Sequence, residues 1–362
     1  MTPEPMNSKI LRPLPRISLR SCPALLLIFA FTAFFEAKAT DPQNTVVATV
    51  NVGSLPGYLV CSPDDKFVYV TISGGIAVIN AETNKLSTNF SLPGSQTFVA
   101  ISKDGQTLYA SDIANTGNGI QVISIANQSV TTLVPFEYPT RLALSPDGTQ
   151  LWVSNSTNDT QGGIYVIDTS TNQVTAGPIQ VSNESPAYIV FTPDGTNVYA
   201  TYSTADTITP YHLVQIDTST QAVLNADVAG KTLRSKGLDG PLLLSINHDG
   251  TALFAEDQSG AYPSVMKTVT FSTGRAKNLY SPLSNTDQSI TPNGRYLYLL
   301  NQGGGPNIPG TVVSIATRTG ESAGPTANVG VGPISIGIRP DGKRAYVSNQ
   351  SSGTVTVINT QP

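Results

Sequence analysis

Arg141 and Asp287 are the charged members of a set of seven residues that share one register of a repeated segment: Tyr58, Phe98, Arg141, Tyr188, Leu243, Asp287 and Ser335. Each stands four residues before a copy of a short motif whose fullest form is Ser145-Pro-Asp-Gly148. Brought together, these side chains would do binding chemistry. Arginine presents a planar fork of donors that holds a carboxylate or phosphate through paired charge-assisted bonds. Aromatic walls around it suit a small polar or anionic ligand. The same residues also read as a plug in which Arg141 and Asp287 neutralise one another.

Reactive constellations are scarce. The histidines are His212 and His248, which leaves a His-rich zinc or copper centre without ligands. No G-x-S-x-G nucleophile elbow occurs. Ten residues after the motif start stand Asp112, Asn155, Tyr202, Asp257, Asn301 and Asn349. The Asp and Asn among them, read as a carboxylate–amide ring, would sit one strand spacing, about 4.8 Å, outside the central strand. That is too far apart to share an ion, so they read as strand-end residues of the loops on one face, together with His212. No catalytic residue, metal or cofactor is expected.

The elements that must carry these residues follow from the repeat. Motif copies begin at Ser62, Ser102, Ser145, Thr192, Asn247, Thr291 and Arg339, and an aromatic follows each start by seven residues: Tyr69, Tyr109, Trp152, Tyr199, Phe254, Tyr298 and Tyr346. The intervals of 40 to 55 residues have the period of propeller blades. Pro-Asp-Gly is turn chemistry, with Pro fixing φ, Asp bonding its own backbone and Gly taking a positive φ. A short apolar run precedes the turn and an alternating aromatic and β-branched run follows it, which makes a hairpin. A third strand such as Ile164-Tyr-Val-Ile167 and a weaker fourth complete the unit. The expected fold is all-β: a seven-bladed β-propeller of four-stranded antiparallel blades.

The segment Arg339-Pro-Asp-Gly-Lys-Arg-Ala-Tyr-Val-Ser-Asn349, followed by Thr354-Val-Thr-Val-Ile-Asn-Thr360, resembles the YVTN repeat of surface-layer-like and YncE-type β-propellers. The resemblance covers nearly the whole chain after residue 45. It implies a propeller scaffold and assigns no activity. In outline the chain also resembles seven-bladed lactonases, which implies a hydrolase or lyase working at the channel mouth. The histidine such an activity would use near Pro139-Thr-Arg141 is not there.

Lys9, Arg12, Arg16 and Arg20 precede an apolar run from Pro23 to Phe35, and Ala37-Lys-Ala39 follows as a small-x-small cleavage site. Residues 1–39 therefore read as a secretory signal peptide, and 40–362 as a single propeller domain. The run is short for a spanning helix, so no membrane span is expected after cleavage. The expected location is extracytoplasmic: periplasm, cell surface or medium. Of 20 Lys+Arg and 24 Asp+Glu, five basic and two acidic residues lie in the leader, so the mature chain carries a formal charge of −7. Such a surface disfavours nucleic acid. The partner is read as a protein, a cell-envelope component or a small molecule, and the mature protein as a monomer. Cys61, the one cysteine beyond the leader, reads as a core residue.

The last copy ends after three strands, and Thr45-Val-Val-Ala-Thr-Val-Asn-Val52 has the composition of the missing fourth. It is expected to complete blade seven and latch the ring. The loops Asp112–Gly119, Asn155–Gly163, Tyr202–His212, Glu256–Pro263, Asn301–Gly310 and Ala229–Pro241 are long, whereas the Pro-Asp-Gly turns hold their length. The long loops belong to one face, and binding residues concentrate on such loops. That variable face and the channel mouth are the functional candidates.

Overall fold

The structure, a computed structural model, describes residues 41–362 apart from 114–118, 157–161, 181–184, 204–210, 227–240, 258–264, 273–274, 280–284 and 306. The leader, the whole of 227–240 and the middles of most of the long loops lie outside the described residues. Seven four-stranded antiparallel sheets make the blades of a propeller. Six use four strands consecutive in the chain. The seventh runs, from inside to outside, Pro333–Ile338, Arg344–Asn349, Thr354–Asn359 and then Thr45–Asn51 from the other end of the chain. The latch strand pairs antiparallel from Thr45 opposite Asn359 to Asn51 opposite Thr354.

Each blade begins at the ring's centre because its first strand is the apolar run before the motif. These inner strands are Leu59–Cys61, Gln96–Ile101, Pro139–Leu144, Ser185–Phe191, Pro241–Ile246, Asn285–Ile290 and Pro333–Ile338. The turns that follow satisfy themselves. In four of them the leading hydroxyl of Ser62, Ser102, Ser145 or Thr192 donates to the Asp two residues on at 2.6 Å. The glycine N–H closes back on the first carbonyl, as Gly195 does on Thr192 at 2.9 Å, with φ of +71°. In the first copy Asp65 replaces glycine and adopts φ of +62°. Its carboxylate accepts the Asp341 N–H at 2.9 Å and lies 3.6 Å from Arg339 Nε. That residue therefore links blade one to blade seven, which compensates a conformation that costs an L-residue about 1–2 kcal/mol.

The seven aromatics bind the ring together. Each lies in the core between its own blade and the next: Tyr69 with Leu108 and Ala110, Tyr109 with Leu151 and Val153, and Trp152 with Val198 and Ala200. Tyr199, Phe254 and Tyr298 repeat this onto blades five, six and seven. Tyr346 closes the circle against Val68 and Val70 of blade one. All seven are buried, and each contributes about 1.5–3 kcal/mol by leaving water. Cys61 shares the closing core, where burial pushes its thiol up to about 12 and keeps it protonated. Asn44, just before the latch, supplies a polar lock. It accepts the Tyr298 hydroxyl at 2.9 Å and donates to Ser314 Oγ at 2.8 Å and the Pro325 carbonyl at 2.9 Å.

Candidate functional site

In six blades the inner strand breaks register at the mouth residue or immediately before it. The ladder to the second strand slips between Gln96 and Val99, Pro139 and Leu142, Pro186 and Tyr188, Pro241 and Leu244, Asn285 and Asp287, and Pro333 and Ser335. In blade one the inner strand starts only after Tyr58, whose N–H turns to the Thr97 carbonyl of blade two at 3.4 Å. A bulge leaves one residue off the ladder and re-aims its side chain. The freed N–H groups need partners. Ser111 Oγ accepts the Phe98 N–H at 3.0 Å, and Ser154 Oγ accepts the Arg141 N–H at 2.8 Å. Thr71 Oγ1 donates to the Thr97 carbonyl at 3.1 Å. These hydroxyls stand nine residues after the motif start, with Thr201 and Ser348 in other blades, and all are fully buried. Sequence reasoning passed over them, though five hydroxyls at one register among seven copies is a readable signal. Blade five carries Glu256 there, also fully buried, and its Oε1 accepts the Asn285 N–H of blade six at 2.9 Å.

The five sequence-predicted mouth residues come together. The Arg141 guanidinium carbon lies 4.1 Å from the Tyr188 ring centroid, 4.4 Å from Phe98 and 4.5 Å from Tyr58. Tyr58 and Phe98 also lean on each other, with centroids 4.0 Å apart. Such packing holds a cation by the ring quadrupoles. Arg141 Nη2 donates to the Tyr58 hydroxyl at 3.1 Å. Asp287 stands behind Tyr188 and not against the arginine. It accepts the Tyr188 hydroxyl at 2.9 Å on one oxygen and the Ile336 N–H at 3.0 Å on the other. The expected neutralisation is thus relayed through a phenol and is not a direct pair.

Burial and charge set the protonation states. Burial raises the Asp287 carboxyl above its ordinary range, and Arg141 only partly offsets this. Burial, reinforced by Asp287, pushes the Tyr188 phenol far up, and burial raises Tyr58 against the pull of Arg141. Desolvation opposes the arginine's charge, but the oxygens of Tyr188, Tyr58 and Asp287 outweigh it and raise its pKa. The mouth at neutral pH therefore presents a fixed cation walled by neutral phenols.

The strand-end residues read as variable-face candidates are used differently. Asp112 accepts the Ser95 N–H at 2.9 Å and Gln121 Nε2 at 2.8 Å. Asn155 accepts the Tyr138 N–H and Asn349 the Gly330 N–H, each at 2.9 Å. Tyr202 donates to the Ile179 carbonyl at 3.0 Å, and Asp257 is ion-paired with Lys267. Asn301 is buried, and His212 lies half-buried opposite Tyr202. Asp112, Asn155, Tyr202, Asp257 and Asn349 are therefore buried ties and do not stand on a loop surface, because a strand end needs its loose polar groups satisfied. Among the described residues no three His, Cys, Asp or Glu lie together as metal ligands would. A cleft of about 370 Å³ opens on the opposite face, between the turns of blades one and two, lined by Pro63, Asp64, Phe67, Lys103 and Gln106. The Asp64 carboxylate there is already bonded within its own turn, so the cleft lacks the convergent free groups of the mouth.

No family model matches the chain. Antigen Lp49 of Leptospira interrogans serogroup Icterohaemorrhagiae serovar copenhageni (strain Fiocruz L1-130) is 29% identical over 141 residues, covering 33% of this chain and 30% of its own length. Among solved structures, Kuenenia stuttgartiensis hydrazine synthase superposes with a TM-score of 0.69 at 19% identity, over 85% of this chain and 96% of that one. The β-propeller domain of Cps50 (Swd1) from Myceliophteria thermophila gives 0.66 at 13% identity, over 87% and 99%. At these identities the structures establish the fold. The chain is a seven-bladed β-propeller.

Proposed function

We propose that this propeller is a non-catalytic binding protein of the extracytoplasmic space, taking its ligand at the channel mouth around Arg141. The observation that carries the reading is the cage: a half-buried guanidinium fixed by three rings and donating, among the described residues, one side-chain hydrogen bond, to Tyr58. Desolvating a charge is costly unless its donors are used, and a fixed fork open at one edge is a ready receptor for an anion. Burial raises the pKa of both phenols and keeps them protonated, so neither is activated as a nucleophile. The signal-like leader and the acidic mature chain support a location outside the cytoplasm and a partner other than nucleic acid. The membership suggested by the YVTN-like repeats is part of the same proposal.

A thermal-shift screen of the mature chain against small anions, run beside Arg141→Ala, tests this. A hit that stabilises the wild type and not the variant supports it, with a loss of about 1.5–3 kcal/mol per charge-assisted bond. A hit that stabilises both equally, or that disappears only when Asp64 or Asp194 is changed, overturns it. A second reading, a lactonase-like hydrolase or lyase, rests on buried Asp287 beside the Tyr188 hydroxyl; burial raises the carboxyl's pKa, as it does in both proton-transfer sites and structural networks. It requires turnover of a lactone that Asp287→Asn abolishes.

A further inference from the structure

We propose that the ligand of the channel mouth is a small monocarboxylate with an apolar or aromatic body. This rests on the reading of the mouth as a binding site and names what that site selects. Arg141 already fills the aromatic cage, so the rings have no room to hold a ligand cation. They hold the protein's own cation, and the incoming group must be its anion. With rings packed around the guanidinium carbon at 4.1 to 4.5 Å, a partner reaches the group through its N–H edge. Two parallel N–H donors match two coplanar carboxylate oxygens.

Asp287 limits the ligand to one negative charge. Its oxygens are taken by the Tyr188 hydroxyl and the Ile336 N–H, so they are poorly placed to accept from an ammonium group of an amino acid. Its charge, behind a ring that itself touches Arg141, penalises a second anionic group on the ligand. Phosphate and dicarboxylates are disfavoured on that count.

The body of the ligand is set by the rim. Leu55 and Tyr138 stand three residues before Tyr58 and Arg141, and Ile113 follows Asp112 in the intervening blade. They are exposed to 60%, 48% and 41%, so the face of blades one to three presents apolar side chains to solvent on the blades that build the cage. Leu55 is held there in the left-handed region with φ of +51°, a conformation that costs a bulky residue and so marks a constrained position. Within the cage, the Tyr58 and Phe98 rings continue that apolar lining up to the guanidinium.

The test is calorimetric titration of the mature chain with benzoate, phthalate, inorganic phosphate and benzyltrimethylammonium, each at millimolar concentration. Benzoate is expected to bind the wild type at least tenfold tighter than the other three, a comparison that needs no variant. Arg141→Lys, checked for an unchanged melting transition, is expected to weaken benzoate about tenfold because an ammonium has no fork. Asp287→Asn is expected to narrow the gap between phthalate and benzoate. If another of the four binds more tightly, and Arg141→Lys weakens it, the mouth is a binding site but the ligand class is wrong. If none binds, or if binding ignores Arg141, both this inference and the reading beneath it fall.

Discussion

The turn after each inner strand closes on itself through bonds that span two to five residues, whereas at the mouth end side chains also meet across the ring. Ser145 meets Asp147 two residues on, and Gln150 returns its N–H to Ser145 from five. Arg141 meets Tyr58 across 83 residues, and Tyr188 meets Asp287 across 99. The turn is written into every copy and repeats nearly unchanged. The mouth register holds six residue types in seven copies and acquires meaning only when the seven are set in a circle. Uniformity serves the scaffold, and the freedom to vary lies where no local bond dictates the residue.

Cutting the mouth network should produce the largest effect. Arg141→Leu removes the guanidinium from its three rings and from the Tyr58 hydroxyl, and takes away the cation that Asp287 feels through Tyr188; the expected cost is about 3 kcal/mol, the upper end for a single substitution. Arg141→Leu with Asp287→Leu should cost less than the sum of the single changes, with a coupling of about 0.5–3 kcal/mol carried by Tyr188. Urea denaturation of the four proteins measures this. Strict additivity would mean that the relay through Tyr188 does not exist.

A turn should break more modestly and on its own. Gly195→Ala places a β-carbon at φ of +71° with ordinary room, 3.5 Å from the nearest atom, Cδ of Pro146. The expected cost is about 1–2 kcal/mol. Combined with Gly342→Ala in blade seven, the costs should add within about 0.5 kcal/mol, since those turns share no partner. A large non-additive term in thermal or urea melts would erase the distinction between local turns and a collective mouth.

The two ends should also titrate in opposite senses, the smallest effect. Hydroxyl and backbone bonds in the turn, the Ser145 hydroxyl first, hold Asp147 below the ordinary aspartate value of about 3.9. Its contribution is present above that value and is lost as the pH falls through the folded one. Burial holds Asp287 above the same value, so its ionised form costs the fold at neutral pH, and acid relieves that cost as the pH falls through its raised value. Carboxyl carbon shifts followed by NMR should show midpoints on opposite sides of ~3.9. A low midpoint for Asp287 would show that the mouth is not desolvated.

Most of the architecture was legible because a turn and its flanking strands are short-range objects. Seven motif copies, seven aromatics at one offset and the unpaired strand at Thr45 imply the ring and its latch, all of which the structure contains. The mouth set was legible too, as a register at which the copies stop agreeing. Its arrangement was not. That Arg141 is stacked in a cage, with Asp287 reached only through Tyr188, depends on register slips that no residue type announces. The roles of Asp112, Asn155 and Asn349 were hidden for a related reason. An Asp or Asn after a strand looks alike whether it faces solvent or receives a backbone N–H seventeen or nineteen residues earlier. By itself the sequence determined the repeat, the strand order within each blade and the candidates at the centre, since these follow from turn chemistry and alternation over a few residues. The tertiary structure alone decided which of those candidates touch, which are buried ties and which cation stays open, because circular closure brings together side chains that the chain separates by 83 residues at Arg141 and Tyr58, 99 at Tyr188 and Asp287 and 254 at Asn44 and Tyr298.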